Sequence, residues 1–233
     1  MSPDIDSALQ RGVPVITIDS DASDSKRLFF IGTDNYNAGT LGGNLTAKLL
    51  NGKGNVVVFT MLPQPNLKDR LHGYQDVFAE HPDIKITQTV DMKGDPTVAF
   101  DTTKSLLDSK AKVDAFVCLE SLACPEVGEV VNRANMQGKV TIVAMDTPQR
   151  TTDWIQKGVI SATIAQKPFT MAYYGTKLLD DIHHHPPSPL LNNWASNVVS
   201  PIPTFVDTGS FVVDKNSVDA FLQSNKSAAS GGQ

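Results

Sequence analysis

Side chains that can bind a polar ligand follow the predicted strands of this sequence, at the points where the strands end. They are Asp19, Ser20, Asp34, Asn35, Asn66, Arg70, Asp91, Asp95, Glu120, Asp146 and Gln166. Carboxylate, guanidinium and primary amide groups can each engage two neighbouring hydroxyls, so a ring of them suits a polyhydroxylated ligand such as a sugar. Asp, Asn and Ser at strand ends are also ordinary helix caps. Arg70 and Gln166 are not caps, which favours a binding site for the set as a whole.

The elements that must position these residues alternate regularly along the chain. Short β-branched runs are separated by segments with helical spacing, which is typical of a parallel sheet covered by helices. The predicted strands are residues 13–19, 29–32, 55–60, 84–90, 113–119, 141–146, 159–166 and 204–213. In such a sheet, ligands bind beyond the carboxyl ends of the strands. The polar residues are therefore expected to face one crevice.

Composition limits the class of protein. The chain has 233 residues, 40% of them hydrophobic, which is enough for one sizeable core or for one core and part of another. The 20 basic and 25 acidic residues are spread along the chain, which argues against nucleic acid as a partner. The sequence predicts a soluble chain that carries no export signal and no membrane-spanning segment. Cys118 and Cys124 are predicted to be free thiols, since so short a bridge would distort the end of a strand.

Residues 12–223 resemble the ribose-type branch of type I periplasmic sugar-binding proteins, which feed ABC transporters. The matching segments are GVPVITIDSD, IGTDNYNAG, DRLHGY, VAMDTP, GVISATIAQKP and DTGSFVVDKNSV. The resemblance implies the α/β periplasmic-binding-protein type I fold with a parallel, doubly wound sheet. It also implies a periplasmic or other extracytoplasmic location, a sugar and a transporter permease as partners, and no catalysis, cofactor or metal. Nucleic acid and direct membrane insertion are not expected.

The resemblance also implies roles for particular residues. Asp19, Arg70, Asp146 and Gln166 match positions that bind the sugar, and Ser20 and Glu120 complete the candidate set. Ribose binders carry arginine in place of Ser20 and asparagine where this chain has Leu119 followed by Glu120. A sugar other than ribose is therefore expected. Aromatic stacking on the sugar would come from Tyr36 or Trp154.

The first βα units of the family have no counterpart in this chain, which is therefore expected to be a truncated form. The prediction is a complete C-terminal lobe and a partial N-terminal lobe. Residues 33–167 and 201–224 would form the C-terminal lobe, residues 1–32 and 168–200 the remnant of the N-terminal lobe, and residues 225–233 a disordered tail. Because affinity in this family depends on closure of two lobes, such a chain is expected to bind sugar only weakly.

Three other functions are weighed against sugar transport. An enzyme is disfavoured because the sequence has no nucleophile elbow, phosphate-binding glycine loop or zinc spacing. The GTLGG segment at residues 39–43 is interpreted as a helix-packing site, and His183, His184 and His185 diverge around a helix rather than converging on a metal. An effector domain of a lactose-repressor-type regulator and a sensor input domain remain as alternatives. Sequence upstream of this chain would separate them.

Overall fold

A computed structural model of the chain describes residues 1–190 and 193–230, which divide into two compact units. Unit 1 comprises residues 1–34 and 166–210, and unit 2 comprises residues 35–165 and the described residues from 211 onward. The chain thus changes units at 34/35, 165/166 and 210/211, where the sequence predicted changes at 32/33, 167/168 and 200/201.

The helices and strands are numbered separately in chain order. The helices are α1 (Ser2–Gln10), α2 (Asn35–Leu49), α3 (Pro65–Ala79), α4 (Pro96–Asp108), α5 (Ala123–Arg133), α6 (Gln149–Gln156), α7 (Pro168–His184) and α8 (Val218–Ser230). The strands are β1 (Thr17–Ile18), β2 (Phe30–Gly32), β3 (Gly54–Thr60), β4 (Ile84–Asp91), β5 (Ala115–Cys118), β6 (Thr141–Met145), β7 (Ala162–Ala165), β8 (Phe205–Asp207) and β9 (Phe211–Asp214). A short 3-10 turn covers Trp194–Ser196.

Unit 2 is built on a six-stranded sheet in the order β4-β3-β5-β6-β7-β9, in which only β9 is antiparallel to its neighbour. Successive side chains of β3 alternate between two cores: Val56 and Val58 pack with α2 and α3, whereas Val57 and Phe59 pack with the helices on the other face. Both faces are covered, which explains the continuous apolar runs of the central strands. The prediction of an α/β fold with a parallel, doubly wound sheet is confirmed.

Unit 1 contains a three-stranded parallel sheet in the order β1-β2-β8. Its core includes Leu9 from α1, Phe29 and Ile31 around β2, and Ile182 from α7. The single strand predicted over residues 204–213 is wrong, because the segment forms β8 in unit 1 and β9 in unit 2. Between them Gly209 has a φ of 77°, and its N–H donates to the Asp207 carboxylate at 2.8 Å. This left-handed turn interrupts the run of strand-forming residues.

The C-terminal segment also differs from the prediction of a disordered tail beginning at residue 225. Helix α8 continues through Ser230. Residues 224–230 include two alanines and a lysine and lack glycine and proline, so nothing local ends the helix there. Residues 231–233 of the predicted tail lie outside the described residues. Within residues 1–190 and 193–230, none of the helices combines the length and apolar content needed to span a bilayer.

The surface of unit 1 exposes large apolar side chains on α7 and on the segment that contains β1. Phe169 is 81% exposed, and its ring stacks on that of Tyr173, with centroids 6.1 Å apart; Val13, Ile18 and Tyr174 are also exposed. Apolar patches of this kind promote association. We expect the sedimentation coefficient of the protein to rise with concentration, and to rise less in the variant F169S/Y173S. A single monomeric species at all concentrations would contradict this expectation.

Candidate functional site

Arg70 is the most constrained of the predicted site residues. It lies on α3 and is only 3% exposed. Its Nε donates to the Asn35 side-chain oxygen at 2.8 Å, and its Nη1 donates to the Leu119 carbonyl at 2.8 Å. The guanidinium is therefore fixed by α2 on one side and by the end of β5 on the other.

Glycines bring α2 and α3 close enough for this arrangement. A Cβ added at Gly39 would lie 2.1 Å from the Arg70 carbonyl oxygen, and one at Gly73 would lie 2.3 Å from the Tyr36 carbonyl oxygen. Any larger residue would push the two helices apart and move Arg70 away from Asn35. The interpretation of GTLGG as a helix-packing site is confirmed.

Glu120 follows β5 and is 5% exposed. Its two carboxylate oxygens accept hydrogen bonds from the backbone N–H groups of Leu122, at 2.6 Å, and Ala123, at 3.0 Å, so the side chain caps the start of α5. Burial raises the pKa of the Glu120 carboxyl above its ordinary value; the two N–H donors and the charge of Arg70 lower it, and the charge of Asp146 raises it. The geometry agrees: Glu120 and Asp146 each lie three residues beyond the paired Val117 and Val143, and Arg70 donates to the carbonyl of the residue before Glu120.

Asp146 directly follows β6 and is half-buried. Its backbone N–H donates to the Ile164 carbonyl at 2.8 Å, and its carbonyl accepts from the Thr163 hydroxyl at 2.6 Å. Its φ of 66° lies in the left-handed region, which is uncommon for a residue other than glycine. Unit 2 thus brings together three of the predicted residues, Arg70, Glu120 and Asp146, which we call the binding cluster.

The other three candidates belong to unit 1. Asp19 follows β1 with a φ of 65°, and its backbone N–H donates to the Ile31 carbonyl at 3.1 Å. Asp19 and Ser20 are exposed, and Gln166 is half-buried immediately after β7. Asp19 and Asp146 share one local geometry: each is an aspartate with a left-handed backbone that directly follows a parallel strand. Aspartate adopts this region more readily than most residues other than glycine.

Several other polar residues at strand ends serve the fold instead. Asp95 caps α4 by accepting from the Thr97 N–H at 2.9 Å, as predicted, and Asp91 accepts from the backbone of Leu62 at 3.3 Å and of Lys93 at 3.2 Å. Asp34 donates its backbone N–H to the Asp207 carboxylate at 2.9 Å. Of these three residues Asp95 is a helix cap, so the helix-cap explanation holds for part of the set.

The two aromatic candidates for stacking on a ligand are both engaged with neighbours in unit 2. Trp154 packs against the Gly128 position of α5, and the Lys157 ammonium lies 4.7 Å from its ring centroid. The Tyr36 hydroxyl donates to Asp76 at 2.8 Å. In the described part of the chain, no group of three or more His, Cys, Asp or Glu residues is arranged to hold a metal ion.

The expectation of free thiols is wrong, because Cys118 and Cys124 form a disulfide. Cys118 ends β5 and Cys124 is the second residue of α5, and their Cα atoms are 5.8 Å apart, within the usual range for a disulfide. The chain reverses between them, so the bridge joins the strand end to the helix start without distorting either.

Sequence reasoning also missed Asn35 as a partner of Arg70, since one side chain at a helix start carries no sign of a contact 35 residues away.

A comparison with known protein families shows which family this chain belongs to. A family model described as a periplasmic binding protein domain matches residues 1–184. The chain belongs to this family.

Two curated members of the periplasmic binding protein family and one solved structure show how similar the chain is to known proteins. The D-allose-binding periplasmic protein of Escherichia coli is 25% identical over 154 residues, which cover 65% of this chain and 50% of that protein. The ribose import binding protein RbsB of Haemophilus influenzae is 27% identical over 177 residues, which cover 75% of this chain and 59% of that protein. This chain therefore spans about half the length of the curated relatives it matches.

The solved structure is that of a sugar ABC transporter sugar-binding protein from Bacillus halodurans. It is 31% identical to this periplasmic binding protein, with a TM-score of 0.84, over 94% of this chain and 75% of that one. The similarity extends across both units of the described chain, which agrees with the resemblance seen in the sequence motifs.

The Glu120 carboxyl makes a testable contribution to the pH dependence of stability. Its folded-state pKa is raised above the ordinary value of 4.5, so the folded state binds the proton more tightly than the unfolded state. The free energy of unfolding of the native protein, relative to that of Glu120→Gln, should therefore rise as the pH falls through the raised pKa towards 4.5. At a pH above the raised pKa, Glu120→Gln should be less stable than the native protein by about 1–3 kcal/mol, because the nitrogen of its amide cannot accept a hydrogen bond and only one of the two N–H groups keeps its acceptor.

Urea unfolding between pH 5 and pH 8 measures this difference. Asp95→Asn is the matched control, because Asp95 also caps a helix but is exposed, and hydrogen bonds from Thr97 lower its pKa below 3.8. Its contribution is lost only as the pH falls through that lowered pKa, so the control should show no slope in this range. A pH-independent difference for Glu120→Gln would contradict the assignment.

Proposed function

We propose that this chain supplies the sugar-contacting residues of a substrate-binding component of an ABC transporter, which binds a monosaccharide without chemical change. The observation that carries the proposal is the binding cluster, in which a buried guanidinium and two carboxylates meet where parallel strands end. Two curated members of the family, to which this chain is similar, are named for binding or importing sugars.

The chemistry of the cluster fits a ligand with several hydroxyls. The Asp146 carboxylate can accept from two neighbouring hydroxyls, and the Arg70 guanidinium, whose Nε and Nη1 already bind the protein, can add a hydrogen bond to a sugar oxygen. Glu120 already accepts two backbone N–H bonds. It therefore has fewer lone pairs for a ligand, and we assign it a supporting share of the binding. Asp19, Ser20 and Gln166 are the proposed contributors from unit 1.

The proposal includes a location outside the cytoplasm and a transporter permease as partner. The Cys118–Cys124 disulfide supports the location, because disulfides persist in oxidising compartments and are rare in the cytosol. The sugar is proposed to differ from ribose, because Ser20 and the Leu119–Glu120 pair stand where ribose binders use arginine and asparagine.

The test is a calorimetric and NMR titration of the purified protein with D-ribose, D-allose, L-arabinose, D-xylose, D-glucose, D-galactose, L-fucose and L-rhamnose. We expect one or a few of these sugars to bind and to shift the resonances of Arg70 and Asp146, with D-ribose weaker than the best sugar. NMR extends the range to dissociation constants of about 1 mM, or about 4 kcal/mol. The proposal fails if none of these sugars binds or if the shifts occur away from the candidate residues.

A further inference from the structure

The disulfide encloses the loop between β5 and α5, residues 119–122, and this loop carries two parts of the binding cluster. Leu119 supplies the carbonyl that accepts from Arg70 Nη1 at 2.8 Å, and Glu120 is the next residue. The bridge therefore closes on the segment that holds the guanidinium in place.

From this juxtaposition we infer that the Cys118–Cys124 disulfide is a positioning element of the sugar site, which fixes the Leu119 carbonyl so that Arg70 is held in its binding orientation. The inference rests on the proposed function for its effect on affinity. Its structural part, the restraint on Arg70, can be measured without a ligand.

Contacts on both sides of the loop show how the restraint is transmitted. At the strand end, the Leu119 N–H donates to the Phe59 carbonyl at 3.0 Å, which ties the loop to β3. At the helix end, Glu120 accepts from the backbone of Leu122 and Ala123. The disulfide joins these two ends through sulfur atoms of cysteines that are both buried. The loop is thus held by β3 at one end and by its contacts with α5 at the other, and the disulfide links these two ends.

A purely stabilising role would predict a different balance of effects. A cross-link restrains the unfolded chain least when the loop it closes is short, and these cysteines are only six positions apart. By the loop-entropy relation the bridge should contribute about 2 kcal/mol to global stability, at the low end for a disulfide. Its effect on affinity must therefore be compared with that of a variant whose stability is lowered by a similar amount. Loss of affinity out of proportion to loss of stability is the signature of positioning.

The first experiment compares the native protein with the double variant C118A/C124A and with Val127→Ala. Val127 is buried on α5 in the same core as the two cysteines, and its side chain has no hydrogen-bonding group, so its truncation is expected to lower stability alone. For the best sugar of the panel named above, we expect C118A/C124A to lose about tenfold in affinity, equivalent to about 1.4 kcal/mol. Val127→Ala should bind as the native protein does. Equal losses in both variants, in proportion to their loss of stability, would overturn the inference.

The second experiment asks whether the effect passes through Arg70. In an Arg70→Lys background, the carbonyl no longer orients a guanidinium, so removing the disulfide should change affinity by less than about twofold. A tenfold loss in both backgrounds would show that the bridge acts by another route and would overturn the inference.

The third experiment needs no sugar. In nitrogen-15 NMR of the free protein, the Arg70 Nη1–H that donates to the Leu119 carbonyl should exchange slowly with solvent. Exchange should be about tenfold faster in C118A/C124A, again equivalent to about 1.4 kcal/mol. Unchanged exchange would overturn the inference. If no sugar binds to the native protein, the proposed function fails, whereas this exchange measurement still decides whether the disulfide restrains Arg70.

Discussion

Replacing Asp146 with asparagine is expected to lower sugar affinity at least tenfold while leaving the fold intact. The charged carboxylate is proposed to accept hydrogen bonds from sugar hydroxyls, and each charge-assisted bond contributes about 1.5–3 kcal/mol. Asparagine tolerates the left-handed backbone that Asp146 adopts, with its φ of 66°. The free energy of unfolding should therefore change by less than about 0.5 kcal/mol, as for a substitution that keeps the backbone unstrained.

Two further variants separate binding from backbone strain. Asp146→Ala should lose the same affinity and in addition about 1–2 kcal/mol of stability, because a β-carbon without a compensating side-chain bond is disfavoured at this φ. Asn135→Ala is the matched control, since Asn135 has a φ of 53° in the exposed turn after α5. It should lose similar stability with unchanged affinity. Calorimetric titration together with urea unfolding measures both quantities, and an Asp146→Asn variant with native affinity would refute the role of the carboxylate.

Much of unit 2 could be predicted from the sequence because its strands are covered on both faces. The runs around Val56, Phe116 and Ile142 have few polar interruptions, and their spacing leaves room for one helix between strands. The position of Asp146 directly after β6 could also be predicted, because a strand and the residue that follows it are read from one local run.

The features that escaped prediction depend on geometry that local patterns do not encode. The Cys118–Cys124 bridge depends on how sharply the chain reverses after β5, and the sequence distance alone argued against it. The capping role of Glu120 depends on the direction of a buried side chain. The division of residues 204–213 into β8 and β9 depends on a turn at Gly209 that sends the chain from one unit into the other.

The proposed sugar contacts of Asp19, Ser20 and Gln166 stay predictions, because they too depend on geometry that local patterns do not encode. These residues belong to unit 1, whereas Arg70, Glu120 and Asp146 belong to unit 2. The resemblance implies a shared ligand for Asp19, Arg70, Asp146 and Gln166, whereas Ser20 and Glu120 stand where this chain departs from the ribose binders. Titration of Asp19→Asn beside Asp146→Asn would show whether the two matched aspartates contribute equally, since both carry the same left-handed backbone.

The largest combined loss of affinity and stability is expected for Arg70→Met. Methionine keeps the apolar stem of a side chain that is almost fully buried, but it withdraws the donors that bind the Asn35 side chain and the Leu119 carbonyl. Each buried acceptor that loses its donor costs about 1–3 kcal/mol. Sugar affinity should fall at least tenfold, because the proposed bond from the guanidinium to a sugar oxygen is lost as well.

Arg70→Lys and Tyr74→Phe show which part of this loss belongs to the guanidinium. Lysine keeps the positive charge, but its single ammonium cannot reproduce the fork that reaches two acceptors, so affinity and stability should both lie between those of the native protein and Arg70→Met. Tyr74 lies one turn further along α3 and is also buried, and its hydroxyl bonds to Thr46. Its replacement by phenylalanine should cost about 1 kcal/mol of stability and leave affinity unchanged. If Arg70→Met loses no more affinity than Tyr74→Phe, the guanidinium does not contact the sugar, and Arg70 serves only to join α2, α3 and β5.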